Sequence, residues 1–418
     1  MDSGIFASSQ RWAQALPVIS ALSVQLVPSV VLAYVPASSI QLRRASLLVV
    51  AVFAAHAVLY IPIVVHNFVW RTTSAALAAI LAFRSCDVLC LHPVGPEHLT
   101  VPKRKKDDTS AEDLSAGLFT SRLFLAWRQL WNMRGIGTRR AGHVTPFSKS
   151  QPGYVPTRGD FIVGHILRVV AAVIIMDFCA NIPPENVSVN YSFGKQHLMW
   201  RLSEVDMEEI FLRVAGTTGF WVNMACYIAA MYGCLAVLFV GLLGLDDPAD
   251  WPPVFGSISN AWTIQRFWGM TWHQTLRLLL SANCDFVLLS VLRLPRNSIL
   301  TKHARLCASF ALSGALHHVV DALVGVPLRE SGMFRFMVMQ WIGILVEDVL
   351  AALWGVVGSS SSNNDRRSTS WGMRCVGYAW VCLWLVWTSP SVFYPYTRVT
   401  AGAHQDHSML PFTMKAVL

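Results

Sequence analysis

Four long stretches of this sequence contain no Asp, Glu, Lys or Arg, and they constrain the fold more than any other feature. They are residues 12–42, 45–70, 214–245 and 375–397. Each exceeds the ~20 residues that an α-helix needs to cross the ~30 Å hydrocarbon core of a bilayer. The sequence therefore predicts four transmembrane helices at these positions.

Five further apolar stretches are each interrupted by one or more charges and are weaker candidates: 72–92, 161–180, 274–293, 304–326 and 333–357. A charge at the centre of a span costs at least ~2.5 kcal/mol, so these charged side chains should face protein or water. Charged residues make up only 14% of the 418 residues, against about 25% in soluble domains. We predict an all-α, polytopic membrane protein of about eight or nine transmembrane helices.

The charges divide the chain into N-terminal helices at 1–92, a basic loop at 93–160 and a C-terminal helical region at 161–418. The basic loop holds eleven Lys and Arg residues, four of them consecutive at 103–106. The positive-inside rule places this loop in the cytosol, and 102–114 has the composition of a solvated linker. The net charge of +9 then reflects membrane orientation, and no nucleic-acid partner is expected.

After this loop the chain should cross to the opposite side of the membrane. Two glycosylation sequons follow, at Asn186 and Asn190, and such sites are used only in lumenal or extracellular loops. Their position agrees with the orientation inferred from charge. We predict a multi-pass, glycosylated protein of the endoplasmic reticulum membrane.

The nine cysteines lie mostly in apolar segments and are interpreted as packing thiols rather than a disulfide framework. Cys86 and Cys90 stand one helical turn apart and could bind a metal. Packing is the favoured interpretation, and no metal site is predicted.

The segment SGALHH at 313–318 places two adjacent histidines inside an apolar run. Gly314 would let another helix approach closely. A buried imidazole has a lowered pKa, stays neutral near pH 7 and can act as a general base. A helix turns about 100° per residue, so His317 and His318 cannot both point straight into one cavity. A structural role, in which a histidine bonds to another helix, is an equal alternative from these residues alone.

The segment RFWGMTWHQ at 266–274 is a second candidate, in which Trp268 and Trp272 precede His273. An aromatic, amphipathic segment of this kind is typical of the membrane interface. His273 could polarise a carbonyl group or orient a reacting hydroxyl. An aromatic interface belt without a chemical role is the alternative.

The third candidate is the segment NMRGIGTRR at 132–140 within the basic loop. Its two glycines stand beside three arginines, so backbone N–H groups and guanidinium groups could hold phosphate oxygens. The segment lacks the Lys-Ser/Thr ending of a Walker loop. Phosphate binding is one hypothesis for it, and the residues concerned are Arg134, Gly135, Gly137, Thr138, Arg139 and Arg140.

Together, NMRGIGT, RFWGMTWHQ, SGALHH and the segment PLRESGMFRFMVMQWIGILVED at 327–348 resemble the fungal wax-synthase-like acyltransferases. That family is similar to the membrane-bound O-acyltransferases. The four segments occur in the family's order, and the resemblance extends from about residue 131 to residue 395. It implies a helical membrane enzyme that transfers an acyl group from coenzyme A to an alcohol, with no permanently bound cofactor.

The resemblance also implies roles for individual residues. The family's SG-x-x-H pattern assigns the catalytic base to His317, with His318 as the alternative base, and its tryptophan-flanked polar residue corresponds to His273. The wider group usually has Asn or Asp at that second position, so His273 could be catalytic or could position the acceptor. The phosphates of acyl-CoA would lie near the arginines of NMRGIGTRR.

Many fungal members acetylate hydroxyls of terpenoids, meroterpenoids or polyketide-derived compounds. The resemblance therefore implies transfer from acetyl-CoA, or a longer acyl-CoA, to a lipophilic alcohol that arrives through the lipid bilayer. Other members make wax esters from long-chain alcohols, and this alternative stays open.

Two other classes of protein are also open. A transporter would use intramembrane His, Asp and Glu as a proton relay and should show inverted repeats, and no repeat is evident in this sequence. A membrane scaffold or a fungal terpene cyclase is the other alternative, and a cyclase would rely on intramembrane carboxylates. Glu347 and Asp348 are interpreted instead as a helix-end pair.

Overall fold

The computed structural model describes residues 2–65, 67–99, 122–182, 184–197, 202–358 and 371–402. Every regular element in these ranges is a helix, which confirms the all-α prediction. The predicted linker at 102–114 lies outside the described residues, and so do the polar residues 359–370.

Fourteen α-helices are described: α1 (Asp2–Tyr34), α2 (Ile40–Val64), α3 (Phe68–Cys86), α4 (Arg122–Trp131), α5 (Arg158–Ala180), α6 (Val187–Asn190), α7 (Phe193–Gln196), α8 (Met207–Ala236), α9 (Ile264–Arg266), α10 (Arg277–Asp285), α11 (Ile299–Val324), α12 (Met333–Gly358), α13 (Trp371–Thr388) and α14 (Pro390–Gly402). Four of them continue into a π-helical turn: α3 into Asp87–Leu91, α8 into Val237–Leu242, α9 into Phe267–Thr271 and α10 into Phe286–Val291.

Seven of the described helices are long and apolar enough to cross a membrane, and the pair α13 and α14, bent by 44°, makes an eighth if it counts as one span. The predicted candidate at 274–293 is not a span. It forms α10 and one π-helical turn, which together are too short. Its Asp285 carboxylate is paired with Arg305 of the next helix, at 2.5 Å between Oδ1 and Nε. The described residues therefore contain seven candidate spans, or eight if the bent pair is one span, and eight agrees with the predicted eight or nine.

The outer face of α2 shows how these helices meet the lipid. Leu48, Val52, Leu59 and Ile63 follow one another at intervals of four and seven residues, so they share one helix face. Each is 65 to 70% exposed. An apolar stripe of this size is rare on a soluble monomer, and it is the surface that a lipid-facing helix presents.

Contacts between connecting segments show which loops share one end of the bundle. The Ala37 N–H donates to the Glu97 carboxylate at 3.0 Å, and Arg128 pairs with Asp246 at 2.6 Å. The connections after α1, α3 and α8 therefore lie at the same end, which we call the basic end. It contains NMRGIGTRR, and the charge pattern predicts that it is cytosolic.

Two packing arrangements bring the motif-bearing segments together. Helices α1 to α4 enclose an apolar core that includes Leu32, Val50, Leu81 and Leu130, and α3 of this bundle packs on α11. Helix α11 also packs along α12. A Cβ atom at Gly314 would lie 2.9 Å from the Cα atom of Phe334, which confirms the predicted close approach of a second helix.

Candidate active site

His317 lies on α11 with its ring fixed by its own helix. Its Nδ1 atom is 2.8 Å from the carbonyl oxygen of Ser313. A carbonyl oxygen only accepts, so Nδ1 carries the proton in the neutral ring and the lone pair is on Nε2. Dense protein surrounds the ring, which nevertheless keeps some accessible surface. This arrangement presents an unprotonated Nε2 that can take a proton from a reacting group.

His318, the next residue, has different partners. Its Nδ1 lies 2.8 Å from the Ser331 hydroxyl, and that hydroxyl donates to Asp321 Oδ2 at 2.6 Å. Because Ser331 gives its proton to Asp321, it accepts one from His318. The two histidines therefore belong to different hydrogen-bonded groups, as the 100° rotation between them predicts.

His273 lies between α10 and the π-helical turn that follows α9, outside the candidate spans. Burial, together with smaller contributions from His317 and Arg134, lowers its pKa to about 4, so the ring is neutral at pH 7. Its Nδ1 atom is buried and has no hydrogen-bond partner among the described residues. The Trp268 ring lies 5.9 Å from the ring of Phe310 on α11, so the two histidine motifs, far apart in sequence, pack against each other in the fold.

An aromatic wall surrounds this pair of motifs. The Trp272 ring stands 4.8 Å from that of Trp221 on α8, almost perpendicular to it. Phe255 meets the His273 ring edge-on at 6.4 Å, and Trp268 donates its indole N–H to Gln340 at 3.3 Å. Such a wall holds the His273 ring and lowers the local dielectric. Sequence reasoning did not include Trp221, although it is the only Trp in the charge-free run 214–245.

Glu347 anchors the segment that carries His273. Its carboxylate accepts from the backbone N–H groups of Ile264 at 2.6 Å and Gln265 at 3.2 Å, and from the Trp380 indole at 3.0 Å. It lies within α12 and caps the start of α9, so the predicted helix-end position on its own helix is wrong. Asp348 pairs with Lys302 at 2.5 Å. Both carboxylates thus serve contacts between helices.

The NMRGIGTRR loop contains two glycines in the left-handed conformation, Gly135 with φ +65° and Gly137 with φ +76°. The Asn132 side chain spans the turn, accepting from the Ile136 N–H at 2.8 Å and donating to its carbonyl at 2.9 Å. The Thr138 hydroxyl donates to the Gly135 carbonyl at 2.7 Å. The N–H groups of Gly135, Ile136, Thr138 and Arg140 donate within the loop, so these four are not free to hold a phosphate.

The three arginines of this loop differ in what they contact. The Arg134 guanidinium donates to the carbonyl oxygens of Pro252 at 2.8 Å and Pro253 at 3.1 Å. Arg140 forms a bidentate pair with Asp87, at 2.9 and 3.2 Å. Arg139 is exposed. Two of the three predicted phosphate contacts are therefore engaged with protein groups.

A small pocket of about 60 Å³ opens between this loop and the segment that carries His273. The residues that line it are Arg134, Arg140, Gly142, His143, Val144, Gln274, Arg277, Leu278 and Ser281. Arg277 is exposed there, and one of its nitrogens donates to Gln274 Oε1 and to the Gly269 carbonyl, both at 3.2 Å. Sequence reasoning did not include Arg277, although it follows the WHQ triplet by three residues.

The other predicted positions lie away from this pocket. Asn186 is exposed, whereas Asn190 is 8% exposed and donates its amide to the Glu185 carbonyl at 3.2 Å. Among the ranges that the structure describes, no three His, Cys, Asp or Glu side chains are grouped so that they could hold a metal ion.

Comparison with known proteins identifies the family of this chain. Residues 251–339 match the sequence model of the Membrane bound O-acyl transferase family, and they include both histidine motifs. The chain is 31% identical over 275 residues to the acetyltransferase ataH of Aspergillus terreus, covering 64% of this chain and 88% of the relative. It is 30% identical over 306 residues to the acetyltransferase atnC of Arthrinium sp, covering 72% and 68% of the two chains.

A third relative is the acetyltransferase aurG of Calcarisporium arbuscula, 30% identical over 275 residues. The match covers 64% of this chain and 65% of that relative. The family match and these relatives agree with the all-helical membrane fold. The chain belongs to the membrane-bound O-acyltransferase family of enzymes.

Proposed function

We propose that this enzyme transfers an acetyl group from acetyl-CoA to the hydroxyl of a lipophilic acceptor, a terpenoid, meroterpenoid or polyketide-derived alcohol of fungal secondary metabolism. The observation that carries the proposal is that His273 and His317 lie on segments that pack together and are close enough to interact electrostatically. His317 offers an unprotonated Nε2, and His273 has a buried Nδ1 without a partner. The names of the three relatives support acetyl as the transferred group.

In the proposed reaction His317 is the general base. Its Nε2 takes the proton of the acceptor hydroxyl as the alcohol oxygen attacks the thioester carbonyl carbon. The carbon–sulfur bond then breaks, the ester leaves, and the sulfur of coenzyme A takes the proton from the imidazolium ring. The acetyl group moves from the sulfur of coenzyme A to the alcohol oxygen, and one proton moves from that oxygen to the sulfur. No oxidant or reductant is needed.

His273 is proposed to bind the thioester carbonyl. A buried polar atom without a partner costs about 1–3 kcal/mol, so a substrate oxygen at Nδ1 would remove that cost. A hydrogen bond from this ring in a water-poor site would stabilise the negative charge that develops on the carbonyl oxygen. The aromatic wall around Trp272 would exclude water that could hydrolyse the thioester.

The pocket at the basic end is proposed as the site of the coenzyme A phosphates. Arg277 is the exposed cation of this pocket. It donates a hydrogen bond to Gln274, which follows His273 directly in the chain. Arg134 and Arg140 add positive charge to the wall, and Arg139 stands exposed on the loop beside it. A donor held here would point its thioester towards the histidines, whereas the acceptor would arrive laterally from lipid.

The test uses the full-length enzyme in nanodiscs with [1-¹⁴C]acetyl-CoA and a panel of alcohols: a sesquiterpene alcohol, a triterpene alcohol and hexadecanol. The proposal expects labelled ester with a terpenoid alcohol, and CoA thiol release in equal amount. Ester from hexadecanol with palmitoyl-CoA alone would favour the wax-ester alternative. Absence of any ester, together with alcohol flux into sealed vesicles, would favour a transporter.

Residence in the endoplasmic reticulum membrane and a glycan at Asn186 are proposed as well. The exposed Asn186 lies at the end of the bundle opposite to the basic end, whereas Asn190 is buried. Endoglycosidase H treatment of the fungal protein should increase its gel mobility, and the Asn186→Gln variant should show no change. A wild-type band whose mobility does not change on treatment would contradict the proposed glycan at Asn186.

A further inference from the structure

A fully buried carboxylate lies beside the donor pocket and has no role in the proposed reaction. Asp87 is 0% exposed and begins the π-helical turn that ends α3. It accepts from Arg84 at 2.5 Å, from Arg140 at 2.9 and 3.2 Å, and from His92 Nδ1 at 2.8 Å. A buried charge is retained only when it is paired and hydrogen-bonded, and both carboxylate oxygens are used here.

Arg84 extends this cluster to the beginning of the NMRGIGTRR loop. Its Nη2 donates to the carbonyls of Gln129 at 3.2 Å and Asn132 at 3.1 Å, and its Nε to that of Leu130 at 3.4 Å. These carbonyls lie at the end of α4, where the last helical turn has no partners within the helix. Arg84 therefore fixes the chain at the point where the loop starts.

Arg140 fixes the other end of the same loop. Its guanidinium meets Asp87 with two nitrogens, the fork geometry that arginine forms with a carboxylate. Its side chain is 32% exposed on the opposite side, where it lines the pocket with Arg134 and Arg277. Both ends of the loop are thus tied to one carboxylate on α3.

We propose that Asp87 is a positioning residue of the donor site: it holds the NMRGIGTRR loop in register with the pocket through Arg84 before the loop and Arg140 after it. The inference rests on the proposed function. It assigns Arg140 to Asp87 rather than to a phosphate, because both terminal nitrogens of its guanidinium group already donate to that carboxylate. It also makes the N-terminal bundle, outside the matched residues 251–339, a part of the acyl-CoA site.

The test compares Arg140→Lys with Arg140→Ala in the nanodisc assay with acetyl-CoA. Lysine keeps the positive charge but cannot form the bidentate fork. If Arg140 is an anchor, both variants raise the KM for acetyl-CoA by about tenfold or more, as misplacement of a binding group does, while kcat stays within about twofold. The matched control is Arg128→Lys. Arg128 forms an ion pair with Asp246 at the same end of the bundle but does not line the pocket, so the KM of this variant should be unchanged.

A second comparison addresses Asp87 itself. Adding Asp87→Asn to Arg140→Lys should raise KM little further, because the anchor is already lost. Asp87→Glu, which keeps the charge, should retain more affinity than Asp87→Asn. A wild-type KM for Arg140→Lys, with a raised KM for Arg140→Ala, would make Arg140 a phosphate contact and overturn the inference. A wild-type enzyme that forms no ester would instead overturn the proposed function, and the inference with it.

Discussion

Replacing His317 with alanine should abolish most of the chemistry while leaving the donor site intact. The bond of Nδ1 to the Ser313 carbonyl, 2.8 Å long, leaves Nε2 as the base, and general base catalysis contributes about 10²- to 10⁴-fold to a rate. We therefore expect kcat to fall by that factor, about 3–5 kcal/mol on the barrier. The KM for acetyl-CoA should stay within about threefold, since the phosphates are proposed to bind at Arg277.

His318→Ala is the matched control, since it removes the same ring from the next position of the same helix. His318 bonds to Ser331, so its loss should remove one hydrogen bond, about 0.5–1.5 kcal/mol of stability. Its kcat should stay within about tenfold of wild type. Initial rates of ester formation, normalised to folded protein by size-exclusion chromatography, give both values. Near-wild-type kcat in His317→Ala, with a large loss in His318→Ala, would refute the assignment and make His318 the base.

Three further predictions concern the pocket, the buried imidazole and the helix contact. Arg277→Ala should raise the KM for acetyl-CoA about tenfold or more, the loss expected for one charge-assisted contact, whereas an unchanged KM would remove Arg277 from the donor site. The pKa of His273 is about 4 in the folded enzyme and ordinarily about 6.5, so the unfolded chain takes up a proton first as pH falls from 6.5 to 4. The free energy of unfolding should fall by up to about 3 kcal/mol as pH falls across that window. Melting curves of His273→Asn should show a correspondingly smaller loss of stability between pH 6.5 and 4. Gly314→Ala should lower the melting temperature, because its Cβ would meet the Phe334 backbone at 2.9 Å and overpacking costs about 1–3 kcal/mol of stability. An unchanged melting temperature would show that α11 and α12 can move apart without loss of stability.

The spans could be predicted because bilayer thickness imposes a simple requirement on sequence. Three of the four charge-free stretches contain a helix that is long and apolar enough to cross the membrane, and the fourth, 375–397, is the bent pair α13 and α14. The prediction failed at 274–293, where average apolarity suggested a helix long enough to span. Arg277 and Asp285 are the first and last residues of α10, and Asp285 pairs with Arg305 of the next helix, a long-range pairing that the sequence does not show.

The histidine motifs could be recognised in the sequence because burying a polar ring within an apolar segment costs free energy unless the ring has a partner or a function. The packing of the two motifs against each other could not be predicted from the sequence, because it depends on Glu347, which holds α9 against α12 through a contact across 83 residues. Asp87 and Arg140 are 53 residues apart, and nothing local relates them. Phosphate contacts assigned to Arg134 and Arg140 followed from residue type, which does not reveal that protein carbonyls and a carboxylate already occupy these guanidinium groups.

The position of the bound donor tests the central claim most directly. A cryo-electron microscopy map of the enzyme with a ketone analogue of acetyl-CoA, in which a methylene replaces the sulfur, would give it. The account predicts phosphate density beside Arg277 at the basic end and the carbonyl oxygen within hydrogen-bond reach of His273, with His317 Nε2 facing the space where the alcohol attacks. Density at the opposite end of the bundle, or a carbonyl beyond the reach of both histidines, would contradict it.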